Sequence, residues 1–257
     1  MELIYWLMKR ICQKIMDKTY PSQSILAERY KIEKVLGDGS YGIAYLCIEL
    51  ESGSKCVVKQ MRKSKKKENE KMYKQETAAL QLFDHPSIPY LIETFTYEGN
   101  HFFSMEFIEG DNLEDLLFSK KKVFNEAEAL LFFRQLLEIV AYTHKQGIAH
   151  CDIRIPNVML SDNQIYLIDF GLSQCLDNIH KKEIVQDDFF DLGDFLLFIL
   201  YSTYDAKSKK NRPWTEELHL HNQTTGILKK LLQIEQPYSN VHEIITDVHH
   251  AINVISY

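Results

Sequence analysis

Six residues, Gly37-Asp38-Gly39-Ser40-Tyr41-Gly42, limit what this chain can fold into more than any other stretch. Upstream, Tyr30 to Leu36 has the composition of a strand, and downstream Ile43-Ala44-Tyr45-Leu46-Cys47-Ile48 is β-branched and apolar. A GxGxxG that follows a strand and opens a helix would mark a dinucleotide-binding fold. Here the run after Gly42 carries a strand pattern, so the glycines join two strands. A strand–loop–strand turn of this kind can lay backbone N–H groups over phosphates with no side chain in the way.

The strand pattern continues over Lys55 to Met61, and Gly99-Asn100 marks a further hairpin. Arg62-Lys63-Ser64-Lys65-Lys66-Lys67 reads as a solvated basic loop leading into a helix. That helix runs to about Phe83 with Met72, Ala79, Leu80 and Phe83 on one face. After Gly110 the chain turns helical: Asn125 and Glu128 have capping-box spacing, Ala129, Phe133, Leu136 and Val140 share a face, and Gly147 supplies a stop. Asp188 to Tyr201 is apolar nearly all round and predicts a buried helix, and Leu228 to Leu232 and Val241 to Ile255 predict amphipathic ones. Lys207 to Arg212 reads as a solvated loop. Strands first, helices after, and a short Asp-bearing strand pair between them make an α+β chain of two lobes.

At 257 residues, the chain can form one large domain or two small ones sharing a cleft. Its 45% hydrophobic and 26% charged content is that of a globular protein with a full core. A net charge of -6, with no basic aromatic stripe, argues against nucleic acid as a partner. Five scattered cysteines without a CxxC fit reduced thiols and a cytoplasmic location. The apolar N-terminus, broken by Lys9-Arg10, fits neither a signal peptide nor a membrane span. Ile4, Met8, Ile11 and Ile15 follow helical spacing among Lys9, Arg10, Lys14 and Lys18. A helix packed on the main domain is the favoured reading of that stripe over peripheral membrane contact.

The chemistry concentrates at a few positions. Val57 and Lys59 share one face of their strand, and Glu76 shares a helix face with Met72, Leu80 and Phe83. A carboxylate on an inward face requires a partner, and Lys59 is the obvious one. Asp152 and Asn157 follow the helix ending near Gly147, and Asp169 closes the short run Tyr166-Leu167-Ile168. Carboxylate and amide oxygens of this kind suit magnesium bound to phosphates, and Arg154 can neutralise a transferred phosphoryl group. His144 and His150 read as structural.

In this order and at these intervals, the motifs resemble the protein-kinase family of the Hanks or eukaryotic-like type, from about Tyr30 to Tyr201. The chain looks like a small soluble bacterial member. The resemblance implies a bilobal kinase fold, with a β-rich N-lobe carrying one regulatory helix at 29–109 and a mainly helical C-lobe at 110–257. An N-terminal amphipathic helical extension, 1–28, precedes them. It also implies magnesium-assisted phosphoryl transfer from ATP to Ser or Thr hydroxyls of protein substrates, autophosphorylation included.

By the same resemblance, Gly37, Gly39 and Gly42 form the phosphate loop, and Lys59, held by Glu76, orients the α- and β-phosphates. Asn157 and Asp169 hold the metal, Asp152 accepts the hydroxyl proton, and Arg154 stands in place of the usual Lys. Met105-Glu106-Phe107-Ile108-Glu109-Gly110 looks like the gatekeeper and hinge, with backbone groups of Glu106 and Ile108 on the adenine. Leu36, Ala44, Val57 and Met159 are further nucleotide contacts. The family usually has Val and Ala where this chain has Ala44 and Val57, an exchange that conserves their summed volume.

Two departures stand out. Cys151 occupies the position of an Arg that, in many kinases, binds a phosphorylated activation loop, and a thiol cannot do so. The stretch from Gly171 to Asp188-Phe189-Phe190-Asp191-Leu192-Gly193 is too short for the usual activation segment and has no APE motif. A kinase independent of loop phosphorylation follows. The missing peptide platform leaves a small-molecule kinase as the alternative, ahead of a non-catalytic nucleotide-binding scaffold.

Overall fold

The computed structural model describes residues 18–39, 42–63, 66–177, 179–204 and 212–255. The predicted N-terminal stripe up to residue 17 and most of the Lys207–Arg212 loop lie outside the described residues. The chain divides into two compact units, one comprising Met1–Asp84 and Pro89–Phe107, the other His85–Ile88 and Ile108–Tyr257.

The first unit is an antiparallel sheet of β1 (Ile25–Leu26), β2 (Tyr30–Asp38), β3 (Gly42–Glu49), β4 (Lys55–Met61), β5 (Leu91–Tyr97) and β6 (Asn100–Glu106), in the order β1-β2-β3-β4-β6-β5. Its helix α1 spans Lys66–Leu82, so Lys66 and Lys67 are helical and not part of a loop. Residues directly paired across antiparallel strands point to the same side. Tyr45, Cys47, Cys56 and Val58 therefore turn one way and pack with Tyr30, Ile32, Ile43 and Phe102 into a buried cluster. Ala44 pairs with Lys59, Leu46 with Val57, Val57 with Met105, and Lys59 with Phe103. These residues form the opposite face. Two polar side chains there are satisfied by each other and by the backbone: Tyr45 Oη donates to Gln60 Oε1 at 2.8 Å, and Gln60 Nε2 donates to the Lys18 carbonyl at 2.9 Å. Ile25 and Leu26, assigned from the sequence to the helical extension, instead pair with Lys31 and Tyr30.

The second unit is built on α2 (Glu126–Lys145), α3 (Lys181–Leu200), α4 (Trp214–Glu217), α5 (Asn222–Leu231) and α6 (Val241–Ile255). Asn125 and Glu128 form the expected reciprocal cap on α2, and Gly147, at φ 81°, turns the chain after the helix. Three short strands, β7 (Asp111–Asn112), β9 (Val158–Ser161) and β10 (Gln164–Leu167), pair in the order β10-β9-β7. A second pair joins β8 (Ile148–Ala149) to β11 (Gln174–Cys175). Helix α3 starts at Lys181, before the Asp188 expected from its apolar run. Its first turns carry charge and are largely exposed, so the apolar pattern does not mark them. Gly193 permits close packing, since a Cβ there would lie 2.8 Å from Leu231 Cβ.

The boundary read from the sequence at 109/110 falls, by packing, at Phe107/Ile108. His85–Ile88 also belongs with the second unit: Leu167 N–H donates to the Ser87 carbonyl at 3.0 Å, and Gln164 Nε2 to Ser87 Oγ at 2.7 Å.

Candidate active site

The predicted site residues fall into two groups, one in each unit. In the first, the register of β3 and β4 sets the geometry. Gly42 is required there, because a Cβ would sit 2.7 Å from the Gln60 carbonyl oxygen. Gly39 N–H donates to the Gly42 carbonyl at 3.0 Å and closes the turn, while a Cβ on Gly37 would meet nothing within 4 Å. Ser40 and Tyr41 lie outside the described residues. Leu36 is the extra residue of a bulge between the pairs Val35–Tyr45 and Gly37–Ala44. Its side chain is exposed.

Lys59 and Glu76 meet closely: Lys59 Nζ lies 2.8 Å from Glu76 Oε1 and 2.7 Å from Oε2. Glu76 is only 1% exposed, so its carboxylate is ordered and desolvated on α1. Ala44, Val57 and Met105 share the sheet face of Lys59 and are intermediate or buried, giving an apolar surface beside the ammonium. Glu106 ends β6, and its N–H donates to the Tyr90 carbonyl at 3.0 Å.

One contact escaped the sequence reading. Arg62, assigned to a solvated basic loop, is only 13% exposed and pairs with Asp38 between the glycines. Its Nε also donates to the Gly39 carbonyl at 2.8 Å. The acidic residue inside the glycine loop was the signal that could have found it.

In the second unit, Asn157 Nδ2 donates to the Asp152 carbonyl at 2.9 Å and to Asp152 Oδ2 at 2.8 Å. Arg154 Nε stands 3.3 Å from Asp152 Oδ1, with the Arg154 side chain 63% exposed. Ile168 N–H donates to the Asn157 carbonyl at 2.9 Å, which ties the loop to the residue before Asp169. Asp169 has φ 65°, a left-handed conformation uncommon outside glycine, and its Oδ1 accepts from Gly171 N–H at 3.4 Å. Met159, in the middle strand β9, pairs with Asn112 and Tyr166, and Ile108 is buried. Asn112 Oδ1 caps the Asp115 amide at 2.7 Å, and Asp111 pairs with Lys120 at 2.6 Å.

The loop bearing Asp152 is held from below by α3. Asp188, fully buried, accepts from Cys151 N–H at 2.7 Å, from His150 N–H at 3.0 Å and, through Oδ2, contacts His144 Nε2 at 2.6 Å. Cys151 sits at φ 59°. Burial, and then the Asp188 charge, push its thiol up to about 12. The thiol stays neutral and has no charge to offer a phosphate. His150 is buried against Phe170, 4.7 Å between ring centroids, with Nε2 3.1 Å from the Ile168 carbonyl. Burial lowers its pKa, which suits a structural imidazole. From Phe170 the chain turns, pairs β11 with β8, and reaches α3 by way of Leu172 to His180.

The donor set has a definite chemistry. Among the described residues, no group of three or more His, Cys, Asp and Glu could hold a metal ion. Asp169 and Asn157 contribute hard oxygen donors, which fits a magnesium ion that takes its other ligands from water and phosphate. No helix of the described residues is long and apolar enough to cross a membrane.

The chain is similar to proteins of one known family. The protein kinase domain matches residues 30–191. A Bacillus subtilis (strain 168) protein named probable serine/threonine-protein kinase YbdM is 44% identical over 254 residues, covering 97% of this chain and 99% of that protein. NUAK family SNF1-like kinase 1 of Homo sapiens is 33% identical over 161 residues, 62% of this chain but 24% of that protein. The hormonally up-regulated neu tumor-associated kinase of Mus musculus is 35% identical over 144 residues, 54% of this chain and 20% of its own length. The chain belongs to the protein kinase family, and its β-rich and helical units are the two lobes of that family's α+β fold.

Proposed function

We propose that the protein transfers the γ-phosphoryl group of ATP to Ser or Thr hydroxyls of protein substrates, with magnesium, in the cytoplasm. The observation that carries the reading is the preset carboxylate of Asp152. Asn157 holds Oδ2 at 2.8 Å, and Oδ1 lies 3.3 Å from Arg154 Nε. In this reading Asp152 receives the hydroxyl proton, and the exposed Arg154 neutralises the group in transit. Lys59, fixed by Glu76, orients the α- and β-phosphates under the backbone of Gly37, Gly39 and Gly42. Leu36, Ala44, Val57, Met105, Ile108 and Met159 contact the base, and Glu106 contributes its carbonyl because its N–H is engaged by Tyr90. Magnesium, held by Asn157 and Asp169, supplies charge neutralisation at the phosphates when bound. Free thiols at the described cysteines agree with a reducing compartment.

The same geometry supports reading the activity as independent of loop phosphorylation. The loop of Asp152 is already fixed by Asp188, and the neutral Cys151 offers a phosphorylated residue nothing to bind.

The test is incorporation of labelled phosphate from ATP and magnesium into a panel of protein acceptors and into the chain itself. Asp152→Asn should lower transfer by roughly 100-fold or more while nucleotide binding persists. Transfer at the wild-type rate by that variant contradicts the proposal. A small-molecule acceptor is the second reading, favoured by the short link from Leu172 to His180, which leaves little chain for a peptide platform. ATP turnover stimulated by a protein-free metabolite extract, and not by proteins, would select it.

A further inference from the structure

Helix α3 reaches the loop of Asp152 with two carboxylates, not one. Asp191 follows Asp188 by one helical turn and shares its face. Asp188 accepts the His150 and Cys151 amides, on the N-terminal side of Asp152. Asp191 Oδ2 accepts the Ile153 amide at 3.2 Å, on the C-terminal side. The backbone before and after Asp152 is thus anchored to a single rigid element.

The position is unfavourable for a carboxylate. Burial first, and then the charges of Asp188, Asp152 and Asp187, push the Asp191 pKa up to about 6, against the pull of the Ile153 amide. An apolar side chain would avoid that penalty but could not accept a hydrogen bond. A costly group kept beside a reactive one points to a role in the reaction.

We infer that Asp191 is a positioning residue for phosphoryl transfer, holding the Ile153 amide so that Asp152 is fixed through its backbone on both sides. The inference rests on the reading of Asp152 as the acceptor of the hydroxyl proton. It also explains how so short an activation segment can suffice: the order that a phosphorylated loop would impose from outside comes from α3.

Asp191→Asn and Asp191→Leu, made in the full chain, test this. Asn matches Asp in size and shape, and Leu, though larger, shares the branch at Cγ; only Asn keeps an oxygen for the Ile153 amide. The Asn variant should retain kcat within about threefold, and the Leu variant should lose roughly tenfold or more, with KM for ATP unchanged. Wild-type kcat in the Leu variant, or equal losses in both variants, overturns the inference. Should the Leu variant fail to fold, hydrogen exchange at the Ile153 amide decides in wild type and the Asn variant. Slow exchange in both is expected, and exchange as fast as an exposed loop amide overturns the role. Asp152→Asn, assayed alongside, separates two failures. If it transfers phosphate normally, the reading of Asp152 has failed; if it is inactive while the Leu variant is fully active, only the role of Asp191 has.

Discussion

Removing the Asp188 carboxylate should be among the most damaging single changes outside the reacting groups. The side chain is fully buried and serves the His150 amide at 3.0 Å, the Cys151 amide at 2.7 Å and His144 Nε2 at 2.6 Å. Asp188→Ala leaves two buried amides without that acceptor, at about 1–3 kcal/mol each. Relief from burying the carboxylate offsets part of this and loss of the imidazole contact adds to it, so a net cost of roughly 3–5 kcal/mol is expected. Set against a typical stability of about 5–15 kcal/mol, that is a large share.

Function should fall further than stability. Cys151 is held at φ 59°, a conformation that costs a non-glycine residue roughly 1–2 kcal/mol. Once Asp188 is gone, the loop can relax out of it and carry Asp152 away. Asp188→Asn should cost about half as much, since one oxygen can still accept the Cys151 amide while the nitrogen faces the His150 donor. Urea unfolding followed by far-UV circular dichroism measures the midpoint and its slope, and phosphate transfer is assayed well below the transition. An Ala variant with wild-type midpoint and wild-type kcat would refute the claim that this carboxylate fixes the loop.

Two further outcomes are expected. Glu76→Gln keeps an oxygen near Lys59 but removes the charge, so kcat/KM for ATP should fall by roughly tenfold or more; steady-state kinetics giving an unchanged kcat/KM count against the clasp. The folded pKa of Asp191, about 6, lies above its ordinary 3.8. Its contribution to stability is therefore present at about pH 4 and lost as pH rises toward about 6. The Tm of wild type relative to Asp191→Asn should decline across that window, and a flat difference contradicts the assignment.

Much of the fold was legible in the sequence where the signals are local. The period of two in β3 and β4 put Val57 and Lys59 on one face, four-residue spacing put Glu76 inward on α1, and the structure brings Lys59 and Glu76 within 2.7 Å. The Asn125–Glu128 cap and the hairpin at Gly99 read equally directly. The misses share a cause. Arg62 sits in a run of lysines and looks solvated, yet it closes on Asp38 and Gly39 because β3 and β4 return side by side. The start of α3 at Lys181 was hidden because its first turns are largely exposed and carry no apolar stripe. Ser87 gives no local sign that it will bond Leu167 and Gln164.

What the sequence determined by itself is the kinds of element, their order and the residue types able to handle phosphate, since periodicity, capping and glycine spacing act within a few residues of chain. Only the tertiary structure decided which distant groups meet. Asp188 and Asp191 lie more than thirty residues beyond the amides they accept. That pairing depends on the packing of α3 beneath the loop, where the burial of apolar side chains fixes the helix and the carboxylates follow.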